Sequence, residues 1–321
     1  MAALALLLAA TAGRAAAQAP DPALPDLAVR MAAMTAVTGY EQRMIDSLTA
    51  LLPGAERDRA GNAVVVLGEG NRRRLLACPV SEPGFVVGGV RPDGWMTLRR
   101  APGRVSPPFE GQIEGQRVTV FGRRGPVPGV IGVRSIHLTR GRGLPGQRAF
   151  TVDSAYLDIG AASSAEVARA GVGVLSPLAL AKRTHRYGTD LIAAPVAARR
   201  TACAALVLAA RSAMADQRMV PPGESVVVAF VVEQELGARG LGTLANARGP
   251  FEETVVVDGG PGAAGLVVRG GDSLAVRWPR LGAVTRWSLG ARYAGSPVET
   301  TALAGADSLR RALLTWIGGT R

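Results

Sequence analysis

Apolar positions recur at helical spacing over residues 27–36, and a second helical pattern follows to about residue 52. Thr38 stands three residues before Glu41, the spacing of a capping box, so Thr38 is expected to cap that second helix. Short apolar runs at 63–67 and 75–78 suit buried strands. From about Val87 to Arg183 the texture changes. Gly, Pro and Arg become frequent, and runs such as 117–121 and 130–133 are short and β-like, which predicts a small β-rich domain. Beyond it, residues 202–215 read as an Ala/Leu helix. Residues 225–232 form a β-branched strand introduced by Pro221-Pro222-Gly223, 254–257 form another strand, and 308–317 form a last helix. Continuous apolar strands alternating with helices predict an α/β sheet covered on both faces. The β-rich segment interrupts it as an insertion, and no internal repeat is visible.

The expected organisation is a signal peptide over 1–17, an α/β domain over 18–86 and 186–321, and an inserted β-rich domain over 87–185. Residues 2–12 form a short apolar run, and Ala15-Ala16-Ala17 offers a small-residue cleavage site before Gln18. No basic residue precedes the run, and Arg14 follows it. The run is shorter than the roughly 20 apolar residues that span a bilayer, and no later segment reaches that length. Export to the periplasm or beyond is therefore expected. Residues 21–26, with Pro22 and Pro25, read as a linker.

Composition adjusts this picture in three ways. The chain of 321 residues is 48% hydrophobic but only 4% aromatic, so its core must be built from Ala, Val and Leu. Its net charge is +12, carried by arginine; Lys182 is the lone lysine. The arginines (Arg57, Arg72 to Arg74, Arg99, Arg100, Arg123, Arg124, Arg140, Arg142) are scattered and lack interleaved aromatics. That pattern argues against a nucleic-acid surface, although attraction to anionic polymers stays open. Cys78 and Cys203 can pair in an oxidising compartment, but two buried free thiols are the expectation.

Several chemical-looking motifs fail on context. Gly260, Gly262 and Gly265 spell GxGxxG after a strand, yet another strand follows and the acidic residue of a dinucleotide site is missing. Gly271-Asp272-Ser273-Leu274 spells a serine-esterase motif, but both histidines, His137 and His185, lie upstream. Neither histidine has a second ligand at metal spacing.

The order of segments from about residue 27 onward resembles the glutamyl, deblocking and tetrahedral aminopeptidase family, whose members are often labelled cellulase M homologues. Thr38-Gly39-Tyr40-Glu41 is similar to the family's Ser-Gly-Tyr-Glu, and residues 58–62 (DRAGN) to Asp-x-x-Gly-Asn. Residues 131–138 (IGVRSIHL), 156–161 (YLDIGA) and Gly171-Val172 are similar to segments of the inserted domain. Residues 234–240 (QELGARG) match Glu-Glu-x-Gly-x-x-Gly, and Asp258 ends a strand where the family has a ligand. Residues 292–297 (RYAGSP), followed by Glu299, are similar to Arg-Tyr-x-His-Ser-Pro and a Glu. The resemblance implies a zinc-peptidase-like phosphorylase/hydrolase fold: a mixed sheet with helices on both faces, interrupted by a barrel-like insertion. It also implies two zinc or cobalt ions, a bridging carboxylate, a neighbouring Glu as general base, and assembly through the inserted domain.

This sequence departs from the family where the chemistry sits. In residues 78–85 (CPVSEPGF) the first ligand His is replaced by Pro79 and its orienting Asp by Ser81, with Glu82 retained. The bridging Asp is replaced by Ala198, followed by Arg199 and Arg200. The general-base position holds Gln234, and the last ligand His is replaced by Gly295. Glu235 and Asp258 alone survive as ligand types, one for each metal. A stable zinc site needs three or four protein ligands, and an amide is no base. No metal cofactor is expected. The vestigial site is Ser81, Glu82, Arg199 and Arg200 around the two surviving acids, and a guanidinium from Arg199 or Arg200 is expected between those acids. The expected function is an exported pseudo-peptidase with a binding or structural role, and a peptide or protein is the expected partner. The alternatives are an active metal-dependent aminopeptidase or hydrolase with an atypical site and a basic surface-binding module.

Overall fold

The computed structural model describes residues 21–103, 105–132, 150–216 and 218–319. The expected signal peptide, His137 and most of the 131–138 motif lie outside these residues. In chain order, α1 (Leu24–Ala33) and α2 (Gln42–Leu51) precede β1 (Glu56–Arg57), β2 (Ala63–Leu67) and β3 (Arg72–Pro79). Then come β4 (Phe85–Val90), β5 (Met96–Arg100), α3 (Pro107–Gly111), β6 (Arg117–Gly122), β7 (Gly125–Ile131), β8 (Tyr156–Asp158), α4 (Ser164–Arg169) and β9 (Pro177–Leu180). After β10 (His185–Tyr187) and β11 (Leu191–Ala193) run the long α5 (Ala197–Ala215), β12 (Glu224–Val231), α6 (Arg239–Arg248), β13 (Glu253–Pro261) and β14 (Val267–Gly271). The chain continues with α7 (Leu274–Arg277), β15 (Ala283–Ala291), β16 (Thr300–Ala302) and α8 (Leu303–Ile317).

Seven strands form a mixed sheet in the order β1-β2-β12-β3-β13-β15-β14. The central β12, β3, β13 and β15 are parallel, and the flanking pairs are antiparallel. Both faces are covered, so the strands need no polar face. Helices α1, α2, α5 and α8 bury Leu27, Met31, Ile45 and Leu313 against Leu76, Val228 and Val257. On the other face, Leu241 and Leu244 of α6 meet Leu75, Ala229 and Val256. The scarcity of aromatics is met by close approach: most of α5 is buried, through Ala202, Ala204, Ala205 and Ala209 among others.

A closed barrel, β4-β5-β8-β7-β6-β9, interrupts this domain between β3 and β10. Its interior is set by alternation: Phe85 and Val87, Met96 and Leu98, Val118 and Val120, and Leu178 and Leu180 all point inward. A three-stranded sheet, β10-β11-β16, joins the chain's return from the barrel to the last helix.

Two expectations are corrected. Cys78 and Cys203 are bonded, not free. The end of β3 lies against the second turn of α5, which brings their Cα atoms to 5.7 Å, within disulfide reach. A separation of 125 residues hides that contact from sequence reading. The capping box does not form either. Helix α2 begins only at Gln42, and no side chain caps it. The Thr38 hydroxyl donates to the Glu82 carbonyl instead (3.3 Å), because Val37 and Glu82 bridge between segments and draw the Thr38 stretch away from the helix. The GxGxxG glycines behave as their context implied: Gly260 is still in β13, and the next element is β14.

Candidate functional site

The segments singled out by sequence converge at the carboxyl ends of the parallel strands. This is where open α/β sheets place their sites. The elements arrive there through strained turns. Val196, immediately before α5, has φ 51°, and Glu233 and Ala238, flanking Gln234 and Glu235, both have φ 56°. Tyr293, two residues before Gly295, has φ 54°. Left-handed non-glycine backbone of this kind clusters at functional sites.

The turn carrying Gln234 and Glu235 is built from below. Asn62 is fully buried; its Oδ1 accepts from Val232 N–H (3.0 Å), and its Nδ2 donates to Asp58 (2.8 Å) and to the Gly240 carbonyl (3.0 Å). A Cβ on Gly240 would lie 2.4 Å from the Val232 carbonyl oxygen, so only glycine lets α6 start this close. The motif 58–62 therefore positions the turn. Glu41 completes it, contrary to its expected capping role. Its Oε1 accepts from the Ser81 hydroxyl (2.8 Å) and from Glu233 N–H (2.9 Å), and the Ser81 oxygen accepts from Gln234 N–H (3.0 Å).

At the centre lies Arg199, from the first turn of α5. Its Nε donates to Asp258 Oδ1 at 2.7 Å and its Nη1 to the Ser81 carbonyl at 2.6 Å, with a longer contact to Glu235 Oε1 at 3.4 Å. Burial works against this charge, but Asp258 first and Glu235 next outweigh it, and the guanidinium is held above its ordinary pKa. Asp258 has no acceptor capacity left to offer. Besides Arg199 Nε, it accepts from Arg199 Nη2 (3.5 Å), Arg286 Nη1 (2.6 Å) and Gly259 N–H (2.8 Å), which occupies all four of its lone-pair directions.

Arg286 was missed by sequence reading. It sits on β15 between Thr285 and Trp287, and also donates through Nε to Asp272 (2.7 Å). Asp272 is thus the acid of an ion pair, not part of an esterase site. No local signal marks Arg286; only the register of β13 with β15 brings it to Asp258.

The replaced positions are tied into the backbone. Ala198 N–H donates to Glu299 Oε1 (3.0 Å) and Gly295 N–H to Glu299 Oε2 (3.1 Å), so one buried carboxylate holds both. Burial raises the Glu299 pKa against these bonds. Pro79 ends β3 in the ladder beside Val231. Gly295 has φ 72°, and its carbonyl accepts from the Ser106 hydroxyl.

Arg200 takes no part in this cluster. It is fully buried and donates to Glu82 (2.8 Å) and to the Val80 carbonyl. Glu82 also pairs with Lys182, at the barrel's exit, and accepts from Ala36 N–H (3.0 Å). Burial pushes Glu82 up, but Lys182 and then Arg200 hold it below the ordinary carboxylate range. Burial brings Lys182 down to about 8, with Glu82 opposing. His185 is exposed on β10, stacked on Tyr187.

These residues do not fit a pair of metal ions. Glu235 and Asp258 bracket a guanidinium, and the positions where the resemblance puts the other donors hold a methyl group, a proline and a glycine. Among the described residues no three His, Cys, Asp or Glu side chains converge as a metal-binding group.

The sequence profile of the M42 glutamyl aminopeptidase family matches residues 61–272. SgcX of Escherichia coli (strain K12), named provisionally as an aminopeptidase, is 28% identical over 188 residues. That match spans 58% of this chain and 48% of SgcX, so the chain aligns with about half the length of this curated relative. Among solved structures, the TET1 peptidase of Pyrococcus horikoshii, which can assemble into a tetrahedron or a large octahedral shell, superposes with a TM-score of 0.81. It is 20% identical, over 92% of this chain and 99% of that one. An aminopeptidase of the archaeon Desulfurococcus kamchatkensis gives 0.73 at 20% identity, over 93% and 97%. At these identities the likeness is one of fold.

Proposed function

The chain belongs to the M42 glutamyl aminopeptidase family, and from that premise we propose that it has kept the family's fold and lost its chemistry, serving as an exported pseudo-peptidase with a binding or structural role. The observation that carries this reading is Arg199. Its planar fork supplies to Asp258 and Glu235 the positive charge that metals would otherwise provide. Two acids without such a cation would repel each other and raise each other's pKa. Gln234, at the position of the general base, offers an amide, which cannot accept a proton at neutral pH.

Mass-spectrometric metal analysis of the purified protein tests this. Zinc, cobalt and manganese are expected below stoichiometric amounts. Leu-, Glu- and Lys-linked chromogenic substrates with added cobalt are expected to give no turnover above blank. One equivalent of tightly bound metal, or cobalt-dependent turnover abolished by Glu235→Ala, would overturn the reading.

Export rests on the apolar segment before Gln18, and the Cys78–Cys203 bond is of the kind that persists in oxidising compartments. The intact mass of the protein from its native host is expected to correspond to a chain starting at Gln18 with no free thiol. A chain retaining Met1 with two alkylatable thiols would refute both. Among the described residues no helix is long and apolar enough to cross a membrane. The assembly behaviour of TET1 supports a homo-oligomer; contact through the barrel domain and a peptide or protein ligand belong to the proposal.

A further inference from the structure

Four of the five left-handed non-glycine residues among the described ones flank the vestigial site. The fifth, Leu175 (φ 67°), lies elsewhere, in the barrel just before β9. Its N–H donates to the Val87 carbonyl (2.8 Å), and its carbonyl accepts from the Tyr40 hydroxyl (3.3 Å). Its side chain is nevertheless largely in water, with Leu175 62% exposed and Val174 60%. A leucine kept in an unfavourable backbone conformation gains nothing from the core when it points outward.

Leu175 borders one of two adjoining hollows, of about 510 and 220 Å³, that share Tyr40, Phe121 and Pro177 as walls. The larger lies in the range of small-molecule sites, roughly 300–1,000 Å³. Together they form a groove on the seam between the domains. Val37, Tyr40 and Arg43 come from the α/β domain, and Phe121, Arg123 and Leu175 from the barrel. The charge in this groove is of one sign, since Arg43 borders the smaller hollow, Arg123 the larger, and no acidic residue lines either. Arg43 rests over the Phe121 ring at 5.6 Å, and among the described residues neither arginine has a carboxylate partner.

We propose that this groove binds a small amphiphilic carboxylate, its apolar chain against Tyr40, Phe121, Pro177 and Leu175 and its carboxylate at Arg43 or Arg123. The unpaired guanidiniums select an anion. The aromatic and aliphatic walls select a ligand with an apolar body. Leu175, turned outward by its backbone, closes the apolar wall at the mouth. The proposal is independent of whether the vestigial site turns over.

The test uses the full mature chain and decanoate, titrated calorimetrically at low ionic strength, with decan-1-ol and decylamine as neutral and cationic analogues. Decanoate is expected to saturate one site, with both analogues weaker by about tenfold or more. Arg43→Gln/Arg123→Gln should weaken decanoate about tenfold and leave decan-1-ol unchanged; the single variants show which guanidinium takes the carboxylate. Leu175→Gly relieves the left-handed backbone, so its melting temperature should not fall, while decanoate and decan-1-ol both weaken. Absence of saturable decanoate binding, decylamine binding as tightly as decanoate, or wild-type affinity in the double arginine variant or in Leu175→Gly would each overturn the assignment.

Discussion

Glu82→Gln is expected to lower the unfolding free energy by about 3–5 kcal/mol, the usual cost of removing one partner from a buried ion pair. The side chains of Glu82, Lys182 and Arg200 are all almost wholly buried, so the variant leaves two like charges in the interior without the carboxylate they share. The triad also spans the architecture. Glu82 lies where the chain leaves the sheet for the barrel, Lys182 where it returns, and Arg200 in α5. Chemical denaturation followed by circular dichroism measures the effect. The control is Arg57→Gln, which breaks the exposed pair with Asp46 and should cost less than about 1 kcal/mol. Equal losses in the two variants would show that the triad contributes no more than a surface pair.

The pH dependence follows from the same groups. Glu82 has a folded pKa below its unfolded one. Its contribution is therefore present above the ordinary carboxylate range and lost as pH falls through the folded value. The Glu82→Gln variant should lack that acid limb. Lys182 gives the same sign of pH dependence at the alkaline end, where its lowered pKa is a cost to stability that deprotonation relieves. Between about 8 and its ordinary value the unfolded chain binds more protons, so its contribution grows as pH rises through that window.

The second large effect concerns restoration of the lost donors. The combination Pro79→His, Ala198→Asp, Gln234→Glu and Gly295→His is expected to remain without metal and without turnover, because the Arg199 guanidinium still lies on Asp258 and close to Glu235. A histidine at 295 must also adopt a left-handed φ, costing roughly 1–2 kcal/mol, with its Cβ 3.1 Å from the Ser106 hydroxyl. Adding Arg199→Ala to the four is expected to give the first variant that takes up cobalt. Returning position 234 to Gln in that background should leave the metal and lower turnover by roughly 10²–10⁴-fold. Cobalt titration with metal quantification after desalting distinguishes the variants. Equal cobalt uptake with and without Arg199 would show that the guanidinium is not what blocks the site.

The sequence by itself determined the class of the fold and which side chains stand where the family resemblance puts metal donors. Continuous β-branched runs such as 225–232 can only be buried on both faces, and a run of small residues such as 202–215 can only be a packed helix. Both are local statements about which surfaces must leave water. That Pro79, Ala198, Gln234 and Gly295 cannot serve as metal donors or as a base was equally legible, because that property is the chemical identity of each side chain. What tertiary structure decided are the pairings between distant segments. Local spacing made Thr38 and Glu41 a capping box, yet Glu41 serves the turn at Glu233 across 192 residues. Cys78 meets Cys203 because β3 packs on α5. Of two adjacent arginines with the same local context, helical rotation turns Arg199 toward Asp258 and Arg200 toward Glu82. Arg286 enters only through the β13–β15 register. Hydrophobic periodicity records which face of an element is buried, but not what lies opposite, so each of these partners awaited the fold.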